Sequence, residues 1–309
     1  MSKLLKNDDI KEFCLKLIHS ESNEELKKIL KEYKLWEDKA CWRFYGDASN
    51  NISTINNQAP DAEKALVEKL ANSFDARLLL ESRKRNIDPK DRKNSPQNIS
   101  EGMEKFFYND SEFNSFMSLE NETAIFATNT GDEPCISVVD KGEGQTPNMV
   151  PDTFLSLGKE NKEGVLFTQG RYNQGGSGAL NFCKDGISII LTKRCPEINT
   201  ESLENSNNWG LTVTRRYTAK ERGLPEPCYV YLAPVKNKGE KSGILSFSCE
   251  SLKLFPNKMV PYSKEIKYGS LLKLYGYKMQ SAKTNIVIDN IFNNKSQEEI
   301  FHIINHCKS

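Results

Sequence analysis

The sequence has no hydrophobic run long enough to cross a bilayer, and its first residues, MSKLLKNDDIKEF, contain no apolar core of signal-peptide length. It also has no excess of charge of either sign, because 43 basic residues stand against 42 acidic ones. Bulk charge therefore gives no reason to expect a nucleic acid or a membrane as partner, although a local basic surface remains compatible with it. These absences predict a soluble, cytoplasmic protein.

Several motifs that mark common catalytic or binding sites are missing as well. The eight cysteines include no C-x-x-C pair, which predicts reduced and mostly buried thiols. The Gly-Lys-Ser/Thr ending of a P-loop is absent, and no internal repeat is visible. There are three histidines, and none lies in a segment typical of a phospho-acceptor helix.

Hydrophobic periodicity predicts helices in the first forty residues, from Asp61 to about Ser82, near 101–108 and from Ser296. Residues 46–60 and 84–98 are polar and read as loops. Strands are predicted at 124–128, 135–139, 187–192, 211–215, 229–232, 244–247 and 271–275. This order predicts an α+β fold, a two-layer sandwich with helices on one face of a mixed, mostly antiparallel sheet. The domains expected are a helical extension (1–44), a main domain (45–280) and a helical tail (281–309) that could begin a further domain.

The helix predicted from Asp61 carries the segment Glu68-Lys-Leu-Ala-Asn72-Ser-Phe-Asp75-Ala76. Spacings of four and three residues bring Glu68, Asn72 and Asp75 to one side of an α-helix. Apolar residues cluster on the opposite side, at positions 66, 67, 70, 74 and 78. The pattern predicts a helix that presents Glu, Asn and Asp together, although on its own it is more typical of a solvated polar face.

A second segment is Ile136-Ser-Val-Val-Asp140-Lys-Gly142-Glu-Gly144. An apolar strand ends in an aspartate, and the two glycines allow a tight turn with room beside it. A carboxylate that only accepts hydrogen bonds suits an exocyclic amine such as that of adenine. Alone, such a turn occurs in many β proteins.

A third segment is rich in glycine and runs Gly170-Arg-Tyr-Asn-Gln-Gly175-Gly176-Ser177-Gly178. It predicts a flexible loop that leads into a helix, where backbone N–H groups can bind an anion. An ordinary mobile loop is the alternative. A dinucleotide-binding fingerprint fits poorly, because the third glycine and a preceding apolar strand are missing.

Together and in this order, the three segments resemble the GHKL superfamily of Bergerat-fold ATPases. The pattern E-x-x-x-N-S-x-D-A is matched at Glu68, Asn72, Ser73, Asp75 and Ala76, and Tyr268-Gly269-Ser270 resembles the start of the late strand in that family. The resemblance covers residues 45–280 and implies that ATP and Mg²⁺ are bound.

The resemblance also implies roles for single residues. Glu68 is expected to be the general base for hydrolysis, and Asn72 the ligand of Mg²⁺. Asp140 is expected to hold the adenine amine with support from Ser270. The remaining nucleotide-binding positions are expected to line the base and phosphate sites or form a lid, namely Asp75, Ala76, Gly142, Gly144, Lys159, Gly175, Gly176, Ser177 and Gly178.

The presence of Glu68 favours the hydrolysing branch of the superfamily, which includes gyrase, MutL, the heat-shock chaperones and the MORC proteins, over a histidine-kinase phosphotransferase. Members of this branch usually take a phosphate-contacting Lys or Arg from a following domain, and no such domain is visible after residue 280, where about one helix remains. A nucleotide-gated interaction module without its own hydrolysis is therefore the alternative. In both readings ATP binding is expected to promote dimerisation or engagement of a partner, either protein or nucleic acid.

Overall fold

The computed structural model describes residues 7–108, 123–129, 133–158, 163–169, 176–200, 205–235, 242–255 and 265–278. Its α-helices are α1 (Asn7–His19), α2 (Asn23–Glu32), α3 (Ile52–Asn56), α4 (Ala62–Lys84), α5 (Ile99–Met103) and α6 (Ala219–Arg222). Its strands are β1 (Trp42–Phe44), β2 (Thr123–Thr128), β3 (Cys135–Asp140), β4 (Ser188–Lys193), β5 (Trp209–Tyr217), β6 (Cys228–Leu232), β7 (Leu245–Phe247), β8 (Leu252–Lys253), β9 (Glu265–Ile266) and β10 (Gly269–Leu274). Within these ranges no helix is long and apolar enough to cross a membrane.

Helix starts follow the capping residues in the sequence. The side chain of Asp61 accepts a hydrogen bond from the Lys64 backbone N–H and begins α4, and Ser22 does the same for the Glu25 N–H in α2. The loop predicted at 46–60 is wrong in part, because α3 forms within it. Ile55 is fully buried there and Ile52 packs against the same core cluster, so these apolar contacts anchor a short helix in a segment of polar composition.

The strands form an eight-stranded sheet in the order β1-β6-β5-β4-β10-β3-β2, and β7 pairs with β5 beside this path. A separate two-stranded sheet joins β8 and β9. Every pairing in the described residues is antiparallel, so the mixed sheet expected from the sequence is not found there. The combination of helices with an antiparallel sheet confirms the α+β class.

The sheet is covered on both faces. On one face, α4 packs against Ile136 and Val138 of β3 through Leu66 and Leu70. On the other face, residues of α1 and α2 share a core with residues of four strands. These are Cys135 and Val139 of β3, Leu191 of β4, Leu211 of β5 and Leu271 of β10. The prediction of a two-layer sandwich with helices on one face is therefore wrong, because strands with two apolar faces need cover on both.

The segment 1–44, predicted to be an extension, is part of this packing. Phe13 and Leu17 of α1 are fully buried against the sheet, and Trp42 opens its edge strand β1. Lys273 of β10 is almost fully buried and donates hydrogen bonds to the carbonyls of Ile18 and Ser20 at the end of α1. The tail predicted at 281–309 lies outside the described residues.

Candidate functional site

Asp140 is the last residue of β3, and its register places it opposite Ser270 of β10 on one side and Thr123 of β2 on the other. Asp140 is 7 % exposed, and its carboxylate accepts a hydrogen bond of 2.9 Å from the Gly142 N–H. Because side chains alternate along a strand, Asp140 points to the same face as Val138, which packs against α4. The strand thus delivers an oriented carboxylate to the space beneath α4.

The turn after Asp140 is held against α4. A β-carbon on Gly142 would lie 2.5 Å from the Ala76 Cβ, and the Glu143 N–H donates to the Ala76 carbonyl over 3.1 Å. Gly144 has a φ of +60°, and a β-carbon there would lie 1.9 Å from the Lys193 carbonyl oxygen. The two glycines are therefore needed for close backbone approach on opposite sides of the turn.

Glu143 locks this turn electrostatically. Its Oε2 accepts from the Arg83 Nε at 3.0 Å and from the Arg194 guanidinium at 2.9 Å. The same Arg194 nitrogen donates to the Gly144 carbonyl over 3.0 Å. A nearly buried carboxylate between two guanidinium groups fixes the turn relative to both α4 and the end of β4.

On α4, the Asn72 side-chain amide donates to the Glu68 carboxylate over 3.3 Å, so these two predicted residues are neighbours one turn apart. Asp75 departs from the prediction. Its side chain is fully buried instead of sharing an open face with Glu68 and Asn72, and it accepts a 2.8 Å hydrogen bond from the Gln169 N–H. Asp75 therefore anchors the backbone of a neighbouring segment, because a buried carboxylate needs donors.

A cavity of about 410 Å³ lies between α4 and the end of the sheet. This is within the usual size of small-molecule sites. Its lining includes six of the positions predicted from sequence: Asn72, Ala76, Asp140, Gly144, Gly176 and Ser270. The structure thus brings together all four segments on which the resemblance depends.

Other predicted residues stand apart from this lining. Five predicted residues do not line the cavity: Glu68, Asp75, Gly142, Ser177 and Gly178. Glu68 is hydrogen-bonded to Asn72, which does line it, and Gly142 packs against the lining residue Ala76. Asp75 directly precedes Ala76 in α4. The Ser177 hydroxyl and N–H both donate to the Gln58 side chain, and a β-carbon on Gly178 would meet Ala59 at 2.8 Å. These two residues fasten the end of the glycine-rich segment to the loop before α4. Lys159 and Gly175 lie outside the described residues.

The cavity also has walls that the sequence analysis missed. Lys69 and Ser73 share the cavity face of α4 with Asn72 and Ala76, a set with the helical spacing i, i+3, i+4, i+7. The face predicted from the sequence, with Glu68, Asn72 and Asp75, is the neighbouring face of this helix. From the polar excursion 84–98, Asp88, Pro89 and Lys90 reach the lining, along with Phe154 and Val165 from later segments.

Lys69 is a charged group of this lining with a large pKa shift. Burial lowers the pKa of its ammonium from the usual 10.5 to about 8, and the neighbouring Glu68 carboxylate opposes part of that shift. Its Nζ donates to the Gly176 carbonyl oxygen. The described residues contain no cluster of three or more His, Cys, Asp or Glu that could hold a metal ion.

Comparison with known proteins adds no family to these observations. No protein-family model matches the sequence, and no curated protein matches it either.

Proposed function

We propose that this protein binds Mg-ATP in the cavity beneath α4 and hydrolyses it slowly, and that its fold is of the Bergerat type. The observation that carries the proposal is the shared cavity of about 410 Å³, which Asn72, Asp140, Gly176 and Ser270 line together. These residues come from four distant segments, and the resemblance names each of them as a site position, with Ser270 standing where the family has Thr.

Adenine would lie at the sheet end of the cavity. Asp140 is an acceptor-only carboxylate in a largely buried position, and the Gly142 N–H fixes its orientation over 2.9 Å. Such a group favours a ligand that offers an N–H donor. The Ser270 hydroxyl lies on the adjacent strand and interacts with the Thr192 hydroxyl at 3.1 Å, so it can support a bridging water beside Asp140.

The phosphates would lie along α4, between Asn72 and Gly176. Magnesium typically takes one or two protein oxygens and completes its shell with phosphate oxygens and waters, and the amide oxygen of Asn72 fits that role. The ion would neutralise charge on the phosphates. Glu68 lies one turn earlier and would accept a proton from the attacking water.

A nucleotide-gated interaction module is the second candidate, and a specific contact favours it. The Glu68 carboxylate accepts from the Asn72 amide over 3.3 Å and does not line the cavity, so it is not positioned at the phosphates here. In both candidates ATP binding would drive dimerisation or engagement of a partner. Because ATP is abundant in the cytoplasm, we propose that the protein works there.

The experiment that tests nucleotide binding is calorimetry on the whole chain with Mg-ATP, using Asp140→Asn and the exposed Asp9→Asn as its control. Loss of a charged acceptor facing a buried donor should weaken binding about tenfold or more. Equal affinity in parent and Asp140→Asn would remove Asp140 from the site. No binding by the parent would refute the proposed function.

A further inference from the structure

Lys69 lies where α4 faces the cavity, three residues before Asn72 and within hydrogen-bond reach of the glycine-rich segment at Gly176. Residues at i and i+3 on a helix are neighbours, so the ammonium of Lys69 and the amide of Asn72 border the same part of the cavity. That part is the one proposed to receive the phosphates.

The cationic side chains of Lys69 and Arg83 differ in whether they form an ion pair. The guanidinium of Arg83, which also lines the cavity, is paired with Glu143 at 3.0 Å. Within the described residues, Lys69 has a neutral carbonyl as its hydrogen-bond partner and no ion pair. A partly buried ammonium with no carboxylate in direct contact is unfavourable, and burial lowers its pKa to about 8 although the neighbouring Glu68 carboxylate opposes part of the shift. An anion entering the cavity would remove this penalty.

We propose that Lys69 is the cation that binds the terminal phosphates of the nucleotide, exchanging the Gly176 carbonyl for a phosphate oxygen. The inference rests on the proposed function and deepens it. The resemblance implies that this cation comes from a following domain, whereas Lys69 would supply it from within α4. Phosphate binding and the position of Gly176 are then coupled, because both use the same ammonium.

The test titrates adenosine and Mg-ATP into the parent, Lys69→Gln, Lys69→Arg and Lys64→Gln. Lys64 is an exposed lysine on the same helix, outside the cavity, and serves as the matched control. Lys69→Gln should lose about tenfold or more in affinity for Mg-ATP and keep its affinity for adenosine, because a charged hydrogen bond to phosphate is removed. Lys69→Arg should retain most of the Mg-ATP affinity, and Lys64→Gln should match the parent.

A second measurement uses the parent alone, in case Lys69→Gln does not fold. Acetylation of lysines, mapped by mass spectrometry, should be slowed at Lys69 about tenfold by Mg-ATP but not by adenosine, with Lys64 unaffected by either. Equal protection by both ligands would overturn the inference, as would equal Mg-ATP affinity in parent and Lys69→Gln. A parallel loss of adenosine and Mg-ATP would assign Lys69 a structural role instead. If the parent binds neither ligand, the proposed function itself fails.

Discussion

Asp140 and Ser270 lie directly opposite each other in neighbouring antiparallel strands, one at the end of β3 and the other near the start of β10. Both line the same cavity, and both are largely buried, at 7 % exposure each. The pair thus places an acceptor-only carboxylate beside a hydroxyl that can donate or accept. That combination can hold a purine edge directly and through a water.

We expect Ser270→Ala to weaken Mg-ATP binding about 3- to 10-fold, because one neutral hydrogen bond contributes about 0.5–1.5 kcal/mol. Ser270→Thr should restore binding, since it keeps the hydroxyl. Ser137→Ala is the control, because Ser137 is a buried serine on β3 that points to the other face of the sheet. Calorimetry with Mg-ATP and with Mg-tripolyphosphate checks this; a loss with both ligands would contradict a role at adenine.

Glu68 and Asn72 should separate hydrolysis from binding. A general base contributes about 10²–10⁴-fold in rate, so Glu68→Ala should lose turnover to that extent while binding Mg-ATP at near-parent strength. Asn72→Ala should lose the magnesium-dependent part of the affinity. Steady-state ATPase assays and calorimetry with and without Mg²⁺ measure the two effects. Unchanged turnover in Glu68→Ala, or no turnover in the parent with its native partner, would favour the interaction module.

Gly144 should be intolerant of any side chain. Gly144→Ala adds the strain of a positive φ, about 1–2 kcal/mol, to a clash with the Lys193 carbonyl at 1.9 Å. Gly223→Ala is the matched control, because its φ is +70° but no heavy atom lies within 4 Å of the added carbon. Chemical denaturation should show a clearly larger loss of stability for Gly144→Ala than for Gly223→Ala. Equal losses would mean that the backbone of the turn can shift to accept the added carbon.

Mg-ATP affinity should fall as pH rises through about 8. The folded free protein holds the pKa of Lys69 at about 8, below its usual 10.5, so the ammonium that phosphate requires is lost above that pH. The Cys183 thiol, which also faces Lys69, does not titrate against this trend, because burial raises its pKa and keeps it protonated. The terminal phosphate is already ionised, since its last pKa is about 6.

The expected loss between pH 7 and pH 10 is about tenfold, the contribution of one charged hydrogen bond, and Lys69→Arg should remove the dependence. The pH dependence that Lys69 gives to folding stability has the opposite sign. Between pH 8 and 10.5 the unfolded chain binds more protons at Lys69 than the folded free protein does, so this group makes the free energy of unfolding rise with pH in that window. Calorimetry across the pH range checks the predicted fall in Mg-ATP affinity. An affinity of the parent that does not change with pH would contradict it.

The sequence by itself determined the elements whose signals are local. Asp61 begins α4 because its carboxylate caps the first turn, and β3 ends at Asp140 because apolar alternation stops at Lys141-Gly142. The close approaches at Gly142 and Gly144 likewise follow from residue type. For the same reason the α+β class and most strand positions were correctly predicted.

Only the tertiary structure decided what lies around those elements. The burial of Asp75 against Gln169, the cavity position of Lys69, and the return of residues 88–90 to the cavity depend on contacts between segments far apart in the chain. The packing of α1 and α2 on the second face of the sheet is of the same kind. Periodicity along one element shows that two faces differ, but which neighbour each face meets is set by the whole chain, because burial is a property of the packed assembly.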